Sequence, residues 1–212
     1  GESINFDYLG VTGYYNDDGG TNSLKASDLD GDGKMDLAVS NNGSDPAGQI
    51  SFLFGDGDGE FPYSSSLKEL DRPDNLHLHD IDYDGYDEVI FQNERNGVLV
   101  YHRNYGNGTF EKESNEFLDT EMAVLNSTAL TDVNGDSHSD LVFVYSDLYT
   151  YTWLGHGLAS FDDNPTYSGH ADPGLVRYGS YKLTSAGNYD LVVSRRHDYF
   201  TCWLNSGTGY FT

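Results

Sequence analysis

Cations are scarce in this sequence. Eleven Lys and Arg stand against 35 Asp and Glu, a formal charge of −24 over 212 residues. Binding nucleic acid needs clustered cations to neutralise phosphates, so that partner class is excluded. Docking on anionic lipid is excluded on the same ground. A single cysteine, Cys202, rules out an internal disulfide and leaves the redox compartment open. Only five prolines occur, no window keeps helical periodicity over three turns, and no apolar run approaches the ~18 residues of a membrane-spanning helix. The chain starts at Gly1 without a recognisable signal peptide, which reads as a processed product or an excised piece of a longer chain.

What is abundant is glycine, at 25 residues, and aromatic side chains, at 14%, with 17 tyrosines. That profile predicts an all-β fold of many short strands joined by tight turns. The length suits one domain spanning residues 1–212.

The densest feature is Asp28-Leu-Asp-Gly-Asp-Gly-Lys-Met-Asp36, with four carboxylates in nine residues. Like charges so close raise one another's pKa unless a cation sits among them. The pattern recurs as Asp80-Ile-Asp-Tyr-Asp-Gly-Tyr-Asp-Glu88 and Asp132-Val-Asn-Gly-Asp-Ser-His-Ser-Asp140, each start 52 residues after the last. An apolar run follows each loop: Leu37 to Val39, Val89 to Phe91 and Leu141 to Val144. A fourth run, Asp190 to Val193, follows a segment Ser185 to Asp190 that reads as a shrunken loop lacking most of the carboxylates. The fourth repeat is expected to keep the strand and lose the metal.

A second element recurs out of step with the first. It reads Gly55-Asp-Gly-Asp-Gly-Glu-Phe61, Asn104-Tyr-Gly-Asn-Gly-Thr-Phe110, Gly155-His-Gly-Leu-Ala-Ser-Phe161 and Asn205-Ser-Gly-Thr-Gly-Tyr-Phe211. Such Gly/Asn-rich turns supply positive φ and predict hairpins. Each is preceded by an aromatic-rich strand, ending at Phe54, Tyr101, Trp153 and Trp203. Four short antiparallel strands per repeat of about 52 residues, with the second strand apolar on both faces, predict the blades of a β-propeller of four repeats. The repeats run approximately 7–61, 62–110, 111–161 and 162–212. Phe6 precedes Asp28 by 22 residues, as Phe110 precedes Asp132, so residues 1–9 are expected to complete the last blade. The ring would close through that strand or through a second chain.

Hard oxygen donors at alternating positions, with glycine for the turn, suit calcium. The first loop offers Asp28, Asp30, Asp32 and Asp36 with the carbonyl of Lys34. The second offers Asp80, Asp82, Asp84 and Glu88 with the carbonyl of Tyr86, and the third Asp132, Asn134, Asp136 and Asp140 with the carbonyl of His138. An EF-hand would need Glu at its twelfth position, where Val39, Phe91 and Phe143 stand instead. Two to three structural calcium ions are expected, the third site weakest because Asn134 replaces a carboxylate and Ser137 a glycine.

His77 and His79 form a His-x-His pair without an evident third ligand. Trp153 and Trp203 suit packing between blades better than sugar stacking. Asn42, Asn107 and Asn126 are glycosylation acceptors, and Asp162-Asp163 is read as a solvated acidic pair.

On the three loops with their strands, and the four glycine turns ending in Phe61, Phe110, Phe161 and Phe211, the chain resembles the FG-GAP/VCBS repeat family, which includes the propellers of integrin α subunits. The resemblance implies a secreted, extracellular or cell-surface protein that binds calcium between the first two strands of a blade. It further implies a binding or adhesion module, engaging a glycan or protein ligand through other loops. Family members commonly have about seven blades, whereas four repeats stand here. No nucleophile elbow, phosphate loop or zinc-protease motif occurs, so no catalytic residue is assigned. A polysaccharide hydrolase or lyase, and a non-catalytic scaffold piece of a longer repeat protein, are the alternatives. A homodimer completing a larger ring is a further expectation.

Overall fold

A computed structural model describes residues 21–41, 48–70, 72–93, 97–111, 115–118, 125–145, 150–162, 164–168, 175–183, 188–195 and 200–208. Every regular element among them is a β-strand. The first sheet is a meander of β1 (Thr21–Ser27), β2 (Asp36–Asn41), β3 (Gly48–Phe54) and β4 (Tyr63–Leu70). The second repeats it with β5 (Pro73–His79), β6 (Glu88–Asn93), β7 (Leu99–His102) and β8 (Asn115–Leu118). In the third, β9 (Leu125–Thr131), β10 (Asp140–Tyr145) and β11 (Thr150–Trp153) are followed by a small hairpin, β12 (Gly155–Gly157) with β13 (Ser160–Phe161), and then by β14 (Thr166–Ser168) at the edge. The fourth holds β15 (Leu175–Tyr181), β16 (Asp190–Arg195) and β17 (Phe200–Trp203). All neighbours pair antiparallel. The segment expected to close the ring, residues 1–9, and Phe211 lie outside the described residues.

The register shows how closely the repeats copy one another. Ser27 pairs with Asp36, His79 with Glu88, Thr131 with Asp140 and Tyr181 with Asp190. The connection between first and second strand therefore has the same length in all four repeats. This corrects the expectation of a shrunken fourth loop. Counted in register, it begins at Lys182, where the other loops begin with aspartate. It has lost every carboxylate but Asp190 and kept its length.

The apolar core lies between successive sheets. Leu29, Ala38, Ile50 and Phe52 of the first repeat pack with Leu76, Val89, Phe91 and Val100 of the second. Ile81, Ile90 and Leu99 of the second pack with Leu141 and Trp153 of the third. Phe52 also stacks on Phe110, ring centres 4.0 Å apart. Both faces of β6 are covered, as its unbroken apolar run requires, whereas buried and half-buried residues alternate along the start of β2. Leu29 and Ile81 belong to the acidic loops yet sit in these cores, so each loop is pinned by its second residue. At about 25 cal/mol per Å² of apolar surface, burying such a side chain stabilises by about 2 kcal/mol.

Candidate metal centre

Counting positions one to nine along each loop, the backbone curls around its own side chains. Asp28 accepts from the N–H groups of Gly31 (2.8 Å) and Gly33 (2.9 Å). Asp80 accepts from Asp84 and Gly85 at 3.1 and 3.0 Å, and Asp132 from Gly135 and Ser137 at 2.6 and 3.0 Å. The side chain at position three accepts from the N–H at position five, and position five from position seven: Asp30 from Asp32, Asp32 from Lys34, Asp82 from Asp84, Asp84 from Tyr86, Asn134 from Asp136, Asp136 from His138. Position six is left-handed throughout, with φ of 83° at Gly33, 95° at Gly85 and 74° at Ser137. Serine occupies there a conformation that suits glycine.

These curls gather carboxylates. One oxygen from each of Asp28, Asp30 and Asp32 lies within 4.8 Å of the others, and the same holds for Asp80, Asp82 and Glu88. All donors are hard oxygens without nitrogen or sulfur, the set that calcium takes. The residues therefore fit a calcium ion, whose charge would neutralise each cluster. In the third loop no three acidic or His side chains converge among the described residues, and Asn134 donates its amide to Asp136 at 2.9 Å. The carbonyls of Lys34, Tyr86 and His138 belong to position seven, whose N–H groups complete the curl.

Position nine does something the sequence pattern does not announce. Both oxygens of Asp36 accept backbone N–H groups, from Leu29 at position two (2.8 Å) and from Gly55 at the start of the glycine turn (2.8 Å). Asp140 does the same with Val133 (2.7 Å) and Gly155 (2.8 Å), and Asp190 with Leu183 and Asn205, both at 2.9 Å. Glu88, one methylene longer, holds Ile81 at 3.0 Å and Asn104 at 3.4 Å, and it reaches the carboxylate cluster that Asp36 does not join. All four acids are fully buried. Burial raises the Glu88 pKa to about 7 and that of Asp140 to about 6, and it raises Asp36 as well, against the N–H bonds that favour the charged forms. The ninth acid is a staple between loop and turn, and it persists in the fourth repeat because that task does not need a metal.

Successive repeats are joined at the same place. The position-two carbonyl of Leu29 accepts from the Asn104 amide (3.1 Å) and from Gly108 N–H (3.3 Å). That of Ile81 accepts from Ala159 N–H (2.9 Å), and that of Val133 from the Asn205 amide (2.6 Å). Asn104 and Asn205 also donate to the position-eight carbonyls of Asp87 and Tyr189. Where the turn opens on glycine instead, a Cβ would stand 2.3 Å from the Met35 oxygen at Gly55 and 2.1 Å from the Ser139 oxygen at Gly155. The first residue of each turn is thus not a source of positive φ, as its Gly/Asn character suggests. It either touches the loop backbone or bonds it. Positive φ comes later, at Gly57, Gly59, Gly106, Gly108, Gly157, Leu158, Ala159 and Gly207.

Few cations exist, and several stand on these loops. Lys34 pairs with Asp32 at 3.0 Å, which lowers the Asp32 pKa. Arg103 bridges Asp82 and Asp84, each at 3.0 Å, and lies against the second cluster. Lys182 lies 4.7 Å from the centre of the Tyr189 ring.

A profile of the FG-GAP-like repeat matches residues 28–91 and again 80–143, together more than half of the chain. The chain belongs to the FG-GAP-like repeat family. Each match starts on the first aspartate of one loop and ends in the strand after the next, so the FG-GAP-like unit includes the staple and the carbonyl that the next repeat bonds. No curated protein matches the chain.

The remaining candidates have structural employment. His79 contacts Ser139 Oγ at 2.5 Å, one more link between repeats, and Ser27 bonds Asp87 at the equivalent place. His77 is pushed to about 3 by burial, with Lys25 and His79 nearby, and among the described residues no third His, Cys, Asp or Glu converges on the pair. Trp153 is buried in the core between sheets, stacked near Tyr151. Asp162 pairs with His156 at 2.7 Å. Asn107 is exposed and accepts from Thr109. The side chains of Asn126 and Trp203, and residues Asn42 and Asp163, are outside the described set. Among the described residues, no helix is long and apolar enough to cross a membrane.

Proposed function

We propose that the chain is a calcium-stabilised, propeller-type binding module of the FG-GAP-like repeat family, non-enzymatic, acting outside the cell or on its surface on a glycan or protein ligand. The observation that carries the metal assignment is the pair of carboxylate clusters built by equivalent positions of two loops. Calcium in the first loop would be held by Asp28, Asp30 and Asp32 with the carbonyl of Lys34, and in the second by Asp80, Asp82 and Glu88 with Asp84 and the carbonyl of Tyr86; a weaker third site would draw on Asp132, Asn134 and Asp136 with the carbonyl of His138, while Asp36 and Asp140 stay with their backbone partners. Because the ligands meet only when the loop is folded, binding energy becomes folding energy. Affinities on the order of 0.1–1 mM suffice for an extracellular module. Binding to a glycan array with calcium and with EDTA tests the functional half. Retention of a sugar in calcium without turnover supports it, and release of a cleaved product overturns it.

A further inference from the structure

Tyrosine stands in the second loop where its neighbours have glycine. Position four is Gly31 in the first loop and Gly135 in the third, both left-handed, with φ of 79° and 81°. Tyr83 fills that position in the second loop and adopts the same region, at φ 62°. A side chain there strains the backbone, so the curl of the loop by itself does not call for tyrosine. The side chain instead reaches out of its own loop.

The Tyr83 hydroxyl lands on the third loop. It accepts from the Ser139 N–H at 3.0 Å and donates to the Ser137 carbonyl at 3.4 Å. Those are positions eight and six, on either side of His138, whose carbonyl is the position-seven donor proposed for calcium. The Tyr83 ring lies beside the His138 ring, centres 5.6 Å apart. Gly157 of the third turn meets it too, since a Cβ there would stand 3.1 Å from Tyr83 Cε2. One side chain of the second loop thus fixes the stretch of backbone that presents a ligand in the third.

The third loop is the one that needs such support. Among the described residues it lacks convergent carboxylates, Asn134 donates to Asp136, and Ser137 holds a φ of 74° without being glycine. Within the second loop Tyr83 sits between Asp82 and Asp84, and the Asp84 N–H closes onto Asp82 across it at 3.2 Å. Asp82 is one of the side chains that would hold calcium there, so occupancy fixes the segment from which Tyr83 extends. We propose that Tyr83 is a positioning residue for calcium in the third loop, and that the second and third loops therefore take up the ion together. By linkage each site strengthens the other by the same factor. This rests on the calcium reading given above.

Calcium titration followed by NMR tests it. The amide signals of Gly33, Gly85 and Ser137 report the three loops separately, because each N–H donates to the first aspartate of its own loop. Tyr83→Phe keeps the ring and removes the hydroxyl; the Ser137 midpoint should rise about fivefold while that of Gly33 stays in place. Tyr83→Gly, which restores the residue of the neighbouring loops and relieves the left-handed backbone, should raise it too. Asp82→Asn should shift Gly85 and Ser137 together and again spare Gly33. A Ser137 midpoint that Tyr83→Phe leaves unchanged overturns the inference, as does a Ser137 signal that never moves while Gly33 and Gly85 do; calcium in the first two loops then still stands. No movement of any of the three signals overturns the calcium reading along with it.

Discussion

Asn205 donates its side-chain amide to the carbonyl of Val133, 72 residues earlier, at 2.6 Å. The same amide bonds Tyr189 within its own repeat, and the Asn205 N–H is held by Asp190. Turn, loop and neighbouring repeat therefore meet in one buried network, and in the fourth repeat it forms without a metal-type cluster among the described residues. The staple does not depend on an acidic cluster.

Asp190→Ala separates staple from cluster by experiment. It leaves the N–H groups of Leu183 and Asn205 without their partner, at a cost of about 2–4 kcal/mol for two such groups. Urea unfolding should show that loss, while the number of calcium ions bound in calorimetry stays the same. A change in stoichiometry without a loss of stability would refute the separation.

Arg103 would compete with the proposed ion at the second loop. Its bonds to Asp82 and Asp84 must be exchanged when calcium enters. Exposed ion pairs of this kind are weak, so Arg103→Gln should tighten calcium at that site by no more than about fivefold. Titration calorimetry reads the change; weaker binding in the variant would make Arg103 a support of the site instead.

Gly106 is fixed by the ring of Tyr86. A Cβ there would stand 2.3 to 2.5 Å from three ring atoms, on a backbone with φ of 67°. Gly106→Ala should destabilise by about 1–3 kcal/mol. It should also weaken calcium at the second loop, because Tyr86 occupies position seven of that loop. Thermal melts with and without calcium test both effects.

Ser137 gives a prediction of opposite sign. At φ 74° it stands where the first two loops have glycine. Ser137→Gly should stabilise the chain by about 1 kcal/mol, and chemical denaturation measures it.

Protonation of Glu88 supplies a pH dependence. Its pKa rises from 4.5 to about 7 on folding, so the native state holds a proton that the unfolded state releases between those values. Its stability contribution is full below about 4.5 and declines as pH rises to about 7. In metal-free protein, Glu88→Gln should gain stability relative to the parent between pH 5 and 7.5. His77, lowered to about 3, acts in the other direction, losing stability as pH falls below 6.5, and it is common to both proteins. A constant difference between parent and variant would contradict the assignment.

The period of the repeats, the strand after each loop and the carboxylate curls were legible in the sequence because each is local: alternating acids, glycine at fixed offsets, an apolar run. The staple was not. An aspartate at the end of an acidic loop reads as one more ligand, and nothing in sequence spacing reports that Asp36 holds Gly55. One signal did exist, the survival of Asp190 in a loop stripped of its other acids. The fourth loop reads as shrunken for a related reason. Carboxylates mark where the other loops begin, and Lys182 stands where the first should be; the pairing of Tyr181 with Asp190 shows the full length. The asparagines at 104 and 205 looked like turn formers, since the bonds they make run to a neighbouring repeat.

Calcium titration of metal-free chain, followed by calorimetry and by thermal melting, tests the central claim most directly. Ions held by the first two loops should appear as at least two sites, with about 2.7 kcal/mol of added stability per site at a hundred times the dissociation constant. Asp30→Asn/Asp82→Asn should abolish most of that gain while the chain stays folded. No heat and no shift in melting temperature at 10 mM calcium, roughly ten times the weakest affinity expected of an extracellular site, would contradict it.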